Sequence, residues 1–417
     1  MARPWFARLQ GNSRGCLAFE PLFLIPYSMF TVYATIYMYE LGLSEVAIGW
    51  ITTISLIVQV FSSFLSGYLT DRMGRKKALL YFDILSWSFG TLLWAISQNF
   101  WFFLAAALVN GFQRVPHTAF YCLLVEDTNP KDRTYVFTIL QFISVVGGLF
   151  APLGGLIVLH YSLVPGMRIM YVLACILMTL QFIGRHLTTH ETEMGLRKIS
   201  ETSQIGWKEN LADYGSAIRG VLANPALMLI FGVYILFNFQ MTLKGTYLSL
   251  YLADHLHLDS GLISLVPAVS SVFMLLTMWL IMPRIPERFA SRAMFWGFAV
   301  SLVSNVLLAA APADGLVWIG LSTVLAAVGT MICSPILEAE VANAIDDEQR
   351  AKVFSILSVL ILLIISPTGI IGGWSYRLDP RAPMVLVAVA FAAAMWLMLV
   401  QARKVRKFAA EGQSIDS

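Results

Sequence analysis

Among the stretches of nineteen residues or more without one Asp, Glu, Lys or Arg are 21–39, 46–70, 260–283, 293–313, 315–337, 353–376 and 382–400. A helix rises 1.5 Å per residue, so crossing the ~30 Å apolar core of a bilayer takes roughly 20 apolar residues. Each stretch is long enough. Two longer uncharged tracts, 84–113 and 134–167, are interrupted by Ser97-Gln98-Asn99 and His160-Tyr161-Ser162, polar breaks that mark exits from the membrane. Allowing one interior charge per helix, a consistent set is 17–39, 47–69, 78–97, 101–125, 134–160, 167–187, 226–252, 260–282, 291–311, 315–337, 353–376 and 382–400. The expected fold is an all-α integral membrane protein with twelve transmembrane helices. Composition agrees: 58% of the 417 residues are hydrophobic and 13% charged, which would coat a soluble monomer in apolar patches.

Basic residues follow the spans. Of 28 Lys and Arg, 23 fall in loops on the side of the N-terminus, three (Arg168, Arg377, Arg381) on the other, and Arg114 and Lys244 remain inside helices. That asymmetry places both termini and the middle loop in the cytoplasm, as expected of a multi-pass protein of the plasma (inner) membrane. Met1 to Cys16 carry Arg3, Arg8 and Arg14 but lead straight into a full-length span, so the first helix is expected to be retained rather than cleaved. Residues 188–224 are the one sizeable polar segment, with Trp207 and Leu211 as apolar anchors. They read as a cytoplasmic tether with a short surface-lying helix. It separates an N-terminal bundle of six helices, 1–187, from a C-terminal bundle with a cytoplasmic tail, 225–417.

The two halves carry faint copies of one another. Arg133-Thr-Tyr-Val-Phe-Thr-Ile-Leu and Arg350-Ala-Lys-Val-Phe-Ser-Ile-Leu share five of eight residues, and each is followed by a Pro/Gly cluster, at 151–155 and 366–373. Tyr39 with Tyr251, Gly49 with Gly261 and Arg72 with Arg284 recur at a common offset of 212. Tandem copies entering from the same side imply two pseudo-symmetric six-helix bundles that rock about a central site.

The second span ends in Gly67-Tyr-Leu-Thr-Asp71-Arg72-Met-Gly74-Arg75-Lys76-Lys77. This run closely resembles the signature loop of the major facilitator superfamily, Gly-x-x-x-Asp-Arg-x-Gly-Arg-Lys/Arg-Lys/Arg, in the place that family puts it, between helices two and three. Physically, Gly67 admits a close neighbour and Gly74 a tight turn, while Asp71 can accept from a helix N-terminus or from Arg75. A plain positive-inside loop accounts for the four cations, which also meet anionic headgroups, but not for Asp71 or the glycines. The resemblance implies that Asp71 belongs to a charge-linked cytoplasmic latch. The second-half copy, Pro283-Arg284-Ile285-Pro286-Glu287-Arg288, has lost the acid and the turn glycine. The remaining gating partners are Glu126 and Asp127 with Arg133, and Glu338 and Glu340 with Arg350. In the fifth helix, Gly147, Ala151 and Gly155 share a face and Pro152 follows. This loosely resembles the fifth-helix motif of drug/proton antiporters, although Ala107 stands where their fourth-helix motif has arginine.

Polar residues inside the spans are few. Arg114 lies near the midplane of the fourth span with Asn110, Gln113 and His117 one turn away; Gln59 is in the second, and Asn238, Gln240 and Lys244 in the seventh. A lipid-facing charge at that depth costs at least ~2.5 kcal/mol, so Arg114 faces the interior. Of the acids deep in the chain, only Glu20 and Asp83 are placed to pair with it; otherwise the cation waits for an anionic solute. Arg114, helped by Lys244, is thus the expected anchor for a carboxylate or phosphate, with Asn110, Gln113, Gln59, Asn238 and Gln240 around it. A proton is the expected companion, carried by His117, Glu20 or Asp83; packing as a neutral core histidine is equally open for His117. Most of the aromatics read as packing and interface belts.

A net charge of +3 rules out a nucleic-acid partner. Cys16, Cys122, Cys175 and Cys333 have no metal-ligand spacing, and neither a hydrolase arrangement nor a phosphate-binding glycine loop occurs, so neither enzyme nor cofactor is expected. The leading expectation is a monomeric secondary transporter of a small, anionic solute. Multidrug efflux and a non-transporting membrane sensor are the alternatives.

Overall fold

The computed structural model describes residues 9, 11–129, 132–202, 225–313, 315–343 and 350–413. Ordered structure among these residues is helical, with no β-strand. Before the linker lie α1 (Gly11–Phe19), α2 (Pro21–Thr31), α3 (Ala34–Glu40), α4 (Glu45–Met73), α5 (Arg75–Ile96), α6 (Phe100–Asn110), α7 (Arg114–Val125), α8 (Arg133–Gly147), α9 (Ala151–Tyr161) and α10 (Leu163–Thr188). After α11 (Glu193–Thr202) come α12 (Pro225–Leu250), α13 (Ser260–Arg284), α14 (Ala290–Ala309), α15 (Leu316–Asn343), α16 (Arg350–Ile365), α17 (Thr368–Leu378) and α18 (Ala382–Gln413).

Among the described residues ten helices are long and apolar enough to cross a membrane, and the bent pair formed by Gly11–Thr31 and Ala34–Glu40 makes an eleventh. The sequence expects twelve, and the difference is the fourth span. There α6 and α7 are joined by a 3-10 turn, Gly111–Gln113, and Asn110, Gln113, Arg114 and His117 lower the segment's apolarity. The first span, expected as one helix, instead turns by 42° between α2 and α3. At the turn the Tyr33 N–H bonds back three residues to Phe30, and such tightening redirects a helix axis. Large apolar side chains lie on the outer surface, Trp101, Trp279 and Trp296 among them. In water that surface would be unstable; in lipid it is the solvated one. The protein is a multi-pass membrane protein.

Local signals set the helix ends. Ser44 caps α4 by accepting from the Ala47 N–H at 3.3 Å, and Asn99 caps α6 by accepting from Trp101 at 3.1 Å and Phe102 at 3.4 Å. Gly74 separates α4 from α5 at φ +83°, a conformation that strains any side chain. The linker's described helix is α11; Trp207 and Leu211 lie outside the described residues.

At the end of the bundle that carries residues 40–44, helices from the two sides of the linker are pressed together. A Cβ on Gly373 would sit 2.7 Å from the Glu45 carbonyl oxygen and 2.9 Å from the Val46 Cα, and Gly49 and Gly369 face one another as closely. The Tyr247 hydroxyl sits across this contact, 2.9 Å from the Gly369 carbonyl and 3.2 Å from that of Glu45. Nearby, Thr35 donates to the Thr246 carbonyl at 2.7 Å, Thr53 accepts from the Ile370 N–H at 3.1 Å, and Tyr33 donates to the Ser260 carbonyl. This seal depends on missing side chains. Gly49→Ala is expected to cost about 1–3 kcal/mol by overpacking, whereas Gly67→Ala meets no clash, because a Cβ there meets no atom within 4 Å. Melting temperatures of the two variants in detergent, against wild type, check this contrast.

Candidate substrate site and latch

Gly111 is what brings the fourth span against the second. A Cβ on it would overlap the side chain of Val58, so only glycine lets α6 and α7 run this close to α4. Gln59, the residue after Val58, then reaches the start of α7: Arg114 Nε donates to Gln59 Oε1 at 3.1 Å. Thr118, one turn on, donates to Ser66 Oγ at 3.0 Å and tightens the same contact. On the other flank α5 winds as a π-helix over Ile84–Phe89, and the Ser86 carbonyl accepts from Asn110 Nδ2 at 3.1 Å. Gln113 donates to Asn110 Oδ1 at 3.0 Å. Four of the expected site residues thus fall into two hydrogen-bonded pairs, Arg114 with Gln59 and Gln113 with Asn110. Among the described residues Arg114 has no acid within ion-pair distance.

Helix α7 has two faces. Val115, Pro116, Ala119, Phe120, Leu123 and Leu124 are buried against its neighbours. Arg114, His117 and Tyr121, at helical spacing, line the other face, where the His117 and Tyr121 rings meet at 4.7 Å. His117 and Tyr121 are exposed on this face, which we take as one wall of a crevice. Tyr234 of α12 stands within electrostatic range of Arg114, and Glu338 of α15 within that of Tyr121. The sequence puts Glu338 at a cytoplasmic gate with Arg350; Glu338 is exposed, and the Arg350 side chain lies outside the described residues.

The seventh span is divided. Asn238 donates to the Tyr234 carbonyl at 2.8 Å and lies on the crevice side of α12. Gln240 does not: it is buried with Phe237, Leu243 and Tyr247 on the packed side of the helix, its Nε2 without a partner. Lys244 stands ten residues beyond Tyr234, about 15 Å of helix, next to the Tyr247 seal. The structure does not bring Lys244 to Arg114.

The two acids named for Arg114 go elsewhere. Asp83 forms a buried ion pair with Arg185 of α10, both side chains almost fully excluded from solvent. Glu20 accepts from Gln181 at 3.3 Å and also interacts with Arg185 and Asp83. Arg185 lies over the rings of Phe120 at 5.4 Å and Phe182 at 5.5 Å, so this cluster sits behind α7, on the face opposite Arg114. Sequence reasoning counts Arg185 among the loop cations and misses it. The available signal is its spacing of four from Gln181, which places both polar groups on one helix face.

At the signature loop, Arg75 Nη1 pairs with Asp71 Oδ1 at 2.7 Å and Nη2 with Glu126 Oε1 at 3.1 Å. The acceptor at the N-terminus of α5 is Glu191 rather than Asp71; it takes the Arg75 and Lys76 N–H groups at 3.0 Å each. Gly74 has no side chain to cap α5, and Glu191 supplies the missing acceptor. Thr192 donates to Glu126, and Asp127 accepts from Asn12 Nδ2 at 2.6 Å with His190 Nε2 at 3.1 Å. Arg72 donates to the Tyr68 hydroxyl at 2.6 Å. Glu340 accepts from Ser291 at 2.9 Å, while Arg133 Nε is buried without a hydrogen bond and so is not paired to Glu126 or Asp127 through it. Gly67 has open space beside it in this conformation rather than a close neighbour.

A model of the Major Facilitator Superfamily matches residues 22–286. Over 239 residues, 54% of this chain and 53% of the relative, the chain is 28% identical to the multidrug resistance protein MdtG of Serratia proteamaculans (strain 568). Over 116 residues, 28% of each protein, it is 30% identical to the uncharacterized MFS-type transporter YqjV of Bacillus subtilis (strain 168). The chain thus matches between about a quarter and a half of the length of these curated relatives. Among solved structures, the nucleoside transporter NupG is similar over 93% of this chain and 98% of its own, with a TM-score of 0.72 at 14% identity. The human organic anion transporter MFSD10 (TETRAN) is similar over 93% and 100%, with a TM-score of 0.64 at 16% identity. At such identities the likeness is one of fold. The chain belongs to the Major Facilitator Superfamily, a class of transporters and not of enzymes.

Proposed function

We propose that this protein is a secondary active transporter that moves a small organic anion by alternating access, coupled to protons. One observation carries the reading: Arg114, deep in the fourth span, is hydrogen-bonded to neutral Gln59 and has no acid in ion-pair reach among the described residues. A guanidinium held this way is prepared for a carboxylate or phosphate arriving from the crevice. In this reading α6 and α7 complete a twelfth span. Two pseudo-symmetric bundles, 1–187 and 225–417, are joined by a cytoplasmic linker, 188–224, in a monomer of the inner membrane. The Gly49–Gly369 seal closes the outer side, the crevice faces the cytoplasm, and the Asp71–Arg75–Glu126 group is the latch that re-forms contacts across the halves when the protein reverses. Gly67, free here, is where a neighbour would then pack.

Proton coupling rests on charge balance. Glu20 and Asp83 place two carboxylates against the single guanidinium of Arg185, which leaves a place for one proton on the far side of α7 from Arg114. His117, lining the crevice itself, is the other titratable group. Multidrug efflux is the second reading, favoured by the partial similarity to MdtG. The small residues of the fifth span suit it, with Gly147 packed on Leu24 and Gly155 on Ser264.

In proteoliposomes, uptake of the matching organic anion is expected to rise with an imposed pH gradient. Arg114→Met should weaken its binding about ten- to a hundredfold, the contribution of one or two charged hydrogen bonds. Full affinity in that variant contradicts the anion reading, and transport of cationic drugs by wild type in its place establishes the efflux reading. Glu20→Gln is expected to keep substrate binding and lose the dependence on the gradient. Persistence of that dependence in Glu20→Gln, with its loss in His117→Gln, moves the proton to the imidazole. Asp83→Asn, which breaks the buried pair and leaves Arg185 with Glu20 alone, is expected to lower stability, and Asp83→Asn with Arg185→Met to lower it less, by denaturation in detergent.

A further inference from the structure

A cavity of about 830 Å³, sharing no residue with the Arg114 crevice, lies between α9 of one half and the start of α13 of the other. Its floor is a contact between the halves: a Cβ on Gly155 would overlap the Ser264 hydroxyl, and Val158 beside them is buried. Its walls are leucines. Leu156 and Leu159 of α9 are 62% and 64% exposed and Leu265 of α13 is 43% exposed, so the walls run on into the apolar surface that faces lipid. Along α9 the lining extends from Ser162, just past the end of the fifth span, back to Pro152. Ten residues of helix are about 15 Å, half of the ~30 Å apolar core, so the cavity has the depth of one leaflet. Apart from the serine of the floor, its polar lining gathers at the membrane edge, where Ser162, Asp259 and Ser260 form the mouth. Asp259 is the one charged residue among those lining it.

Lipid is the solvent of this surface, and water finds few partners in a trough of leucines. An acyl chain matches the trough in polarity and in depth. At the mouth, a net-anionic headgroup would sit against the Asp259 carboxylate, whereas an ammonium would be drawn to it. We infer that this cavity binds one phospholipid with an amine-bearing headgroup, its acyl chain in the groove and its ammonium at Asp259, in the outer leaflet of the orientation proposed above. Because α9 and α13 belong to opposite halves, the lipid binds the conformation in which they touch and thereby favours the closed outer end. Nothing in this depends on what Arg114 binds.

Native mass spectrometry of the full-length protein, delipidated in detergent and then given equal amounts of phosphatidylethanolamine and phosphatidylglycerol with the same acyl chains, counts what is retained. Wild type is expected to keep one lipid and to prefer phosphatidylethanolamine about fivefold, the effect of one charge near a membrane surface. Asp259→Asn should erase the preference and keep the lipid. Leu156→Trp and Leu262→Trp, which fill the groove from either wall, should lose it, and Leu180→Trp, on the exposed face of α10, should not. Melting temperatures near wild type establish that the variants fold. Wild type that retains no lipid, or retention undiminished in both filled variants, would overturn the site; equal retention of the two headgroups by wild type would overturn the role of Asp259. The link to the closed end is read at Thr35, buried where it donates to the Thr246 carbonyl at 2.7 Å. Thr35→Cys in a cysteine-free background is expected to react with an external thiol reagent several-fold more slowly in vesicles containing phosphatidylethanolamine than in phosphatidylglycerol alone, a difference lost when Leu156→Trp is added. A rate indifferent to both headgroup and filling would overturn that link.

Discussion

A guanidinium buried among apolar helices has to be matched by negative charge or by hydrogen-bond acceptors, and this chain solves that problem twice in opposite ways. Arg185 is given its counter-charge at synthesis, in the buried pair with Asp83 and the nearby carboxylate of Glu20. Arg114 is given only the amide oxygen of Gln59. One arrangement is complete within the fold and the other is open. Both depend on the same local packing, because the buried face of α7 carries Phe120 under Arg185 while its open face carries Arg114. The electrostatic division of labour in the first half of the protein is thus drawn along a single helix.

Glycine makes the second constraint. At Gly111 the lack of a side chain lets the fourth span lie on the second and delivers Gln59 to Arg114. At Gly49, Gly369 and Gly373 it lets backbones from either side of the linker meet, with the Tyr247 hydroxyl across the join. Contacts between backbones leave little room for gradual change, so such a seal is either made or broken. At the opposite end, Glu191 and Thr192 tie the start of the linker to Arg75, Lys76 and Glu126, and the signature loop is held within its own half. A rigid closed end and a self-contained latch at the other are what a molecule facing one side of the membrane requires.

Much of this was legible in the residues alone. Uninterrupted apolar runs mark the spans because lipid tolerates few charges, and Asp71, Gly74 and Arg75 mark the signature loop because a turn and an ion pair need those residue types. What could not be read was direction around a helix. Glu338 and Glu340 are two residues apart and so lie on different faces of α15, and Glu340 accepts from Ser291. Gln240 and Asn238 part in the same way, and position along a span says nothing about which face is packed. Arg185 was hidden by its nearness to the loop: counted as a cytoplasmic cation, it proved to be the buried partner of Asp83. Gly67 was read as a packing glycine, but a conformation with that contact open leaves it bare.

The proposed role of Arg114 requires that it face an aqueous crevice between the two halves. Arg114→Cys, made in a background with Cys16, Cys122, Cys175 and Cys333 replaced, can be probed in native membranes with a small water-soluble thiol reagent from either side. The account predicts modification from the cytoplasmic side, slowed by bound solute. A cysteine at this position that ignores the aqueous reagent from both sides and reacts only with a lipid-dissolved one would contradict it.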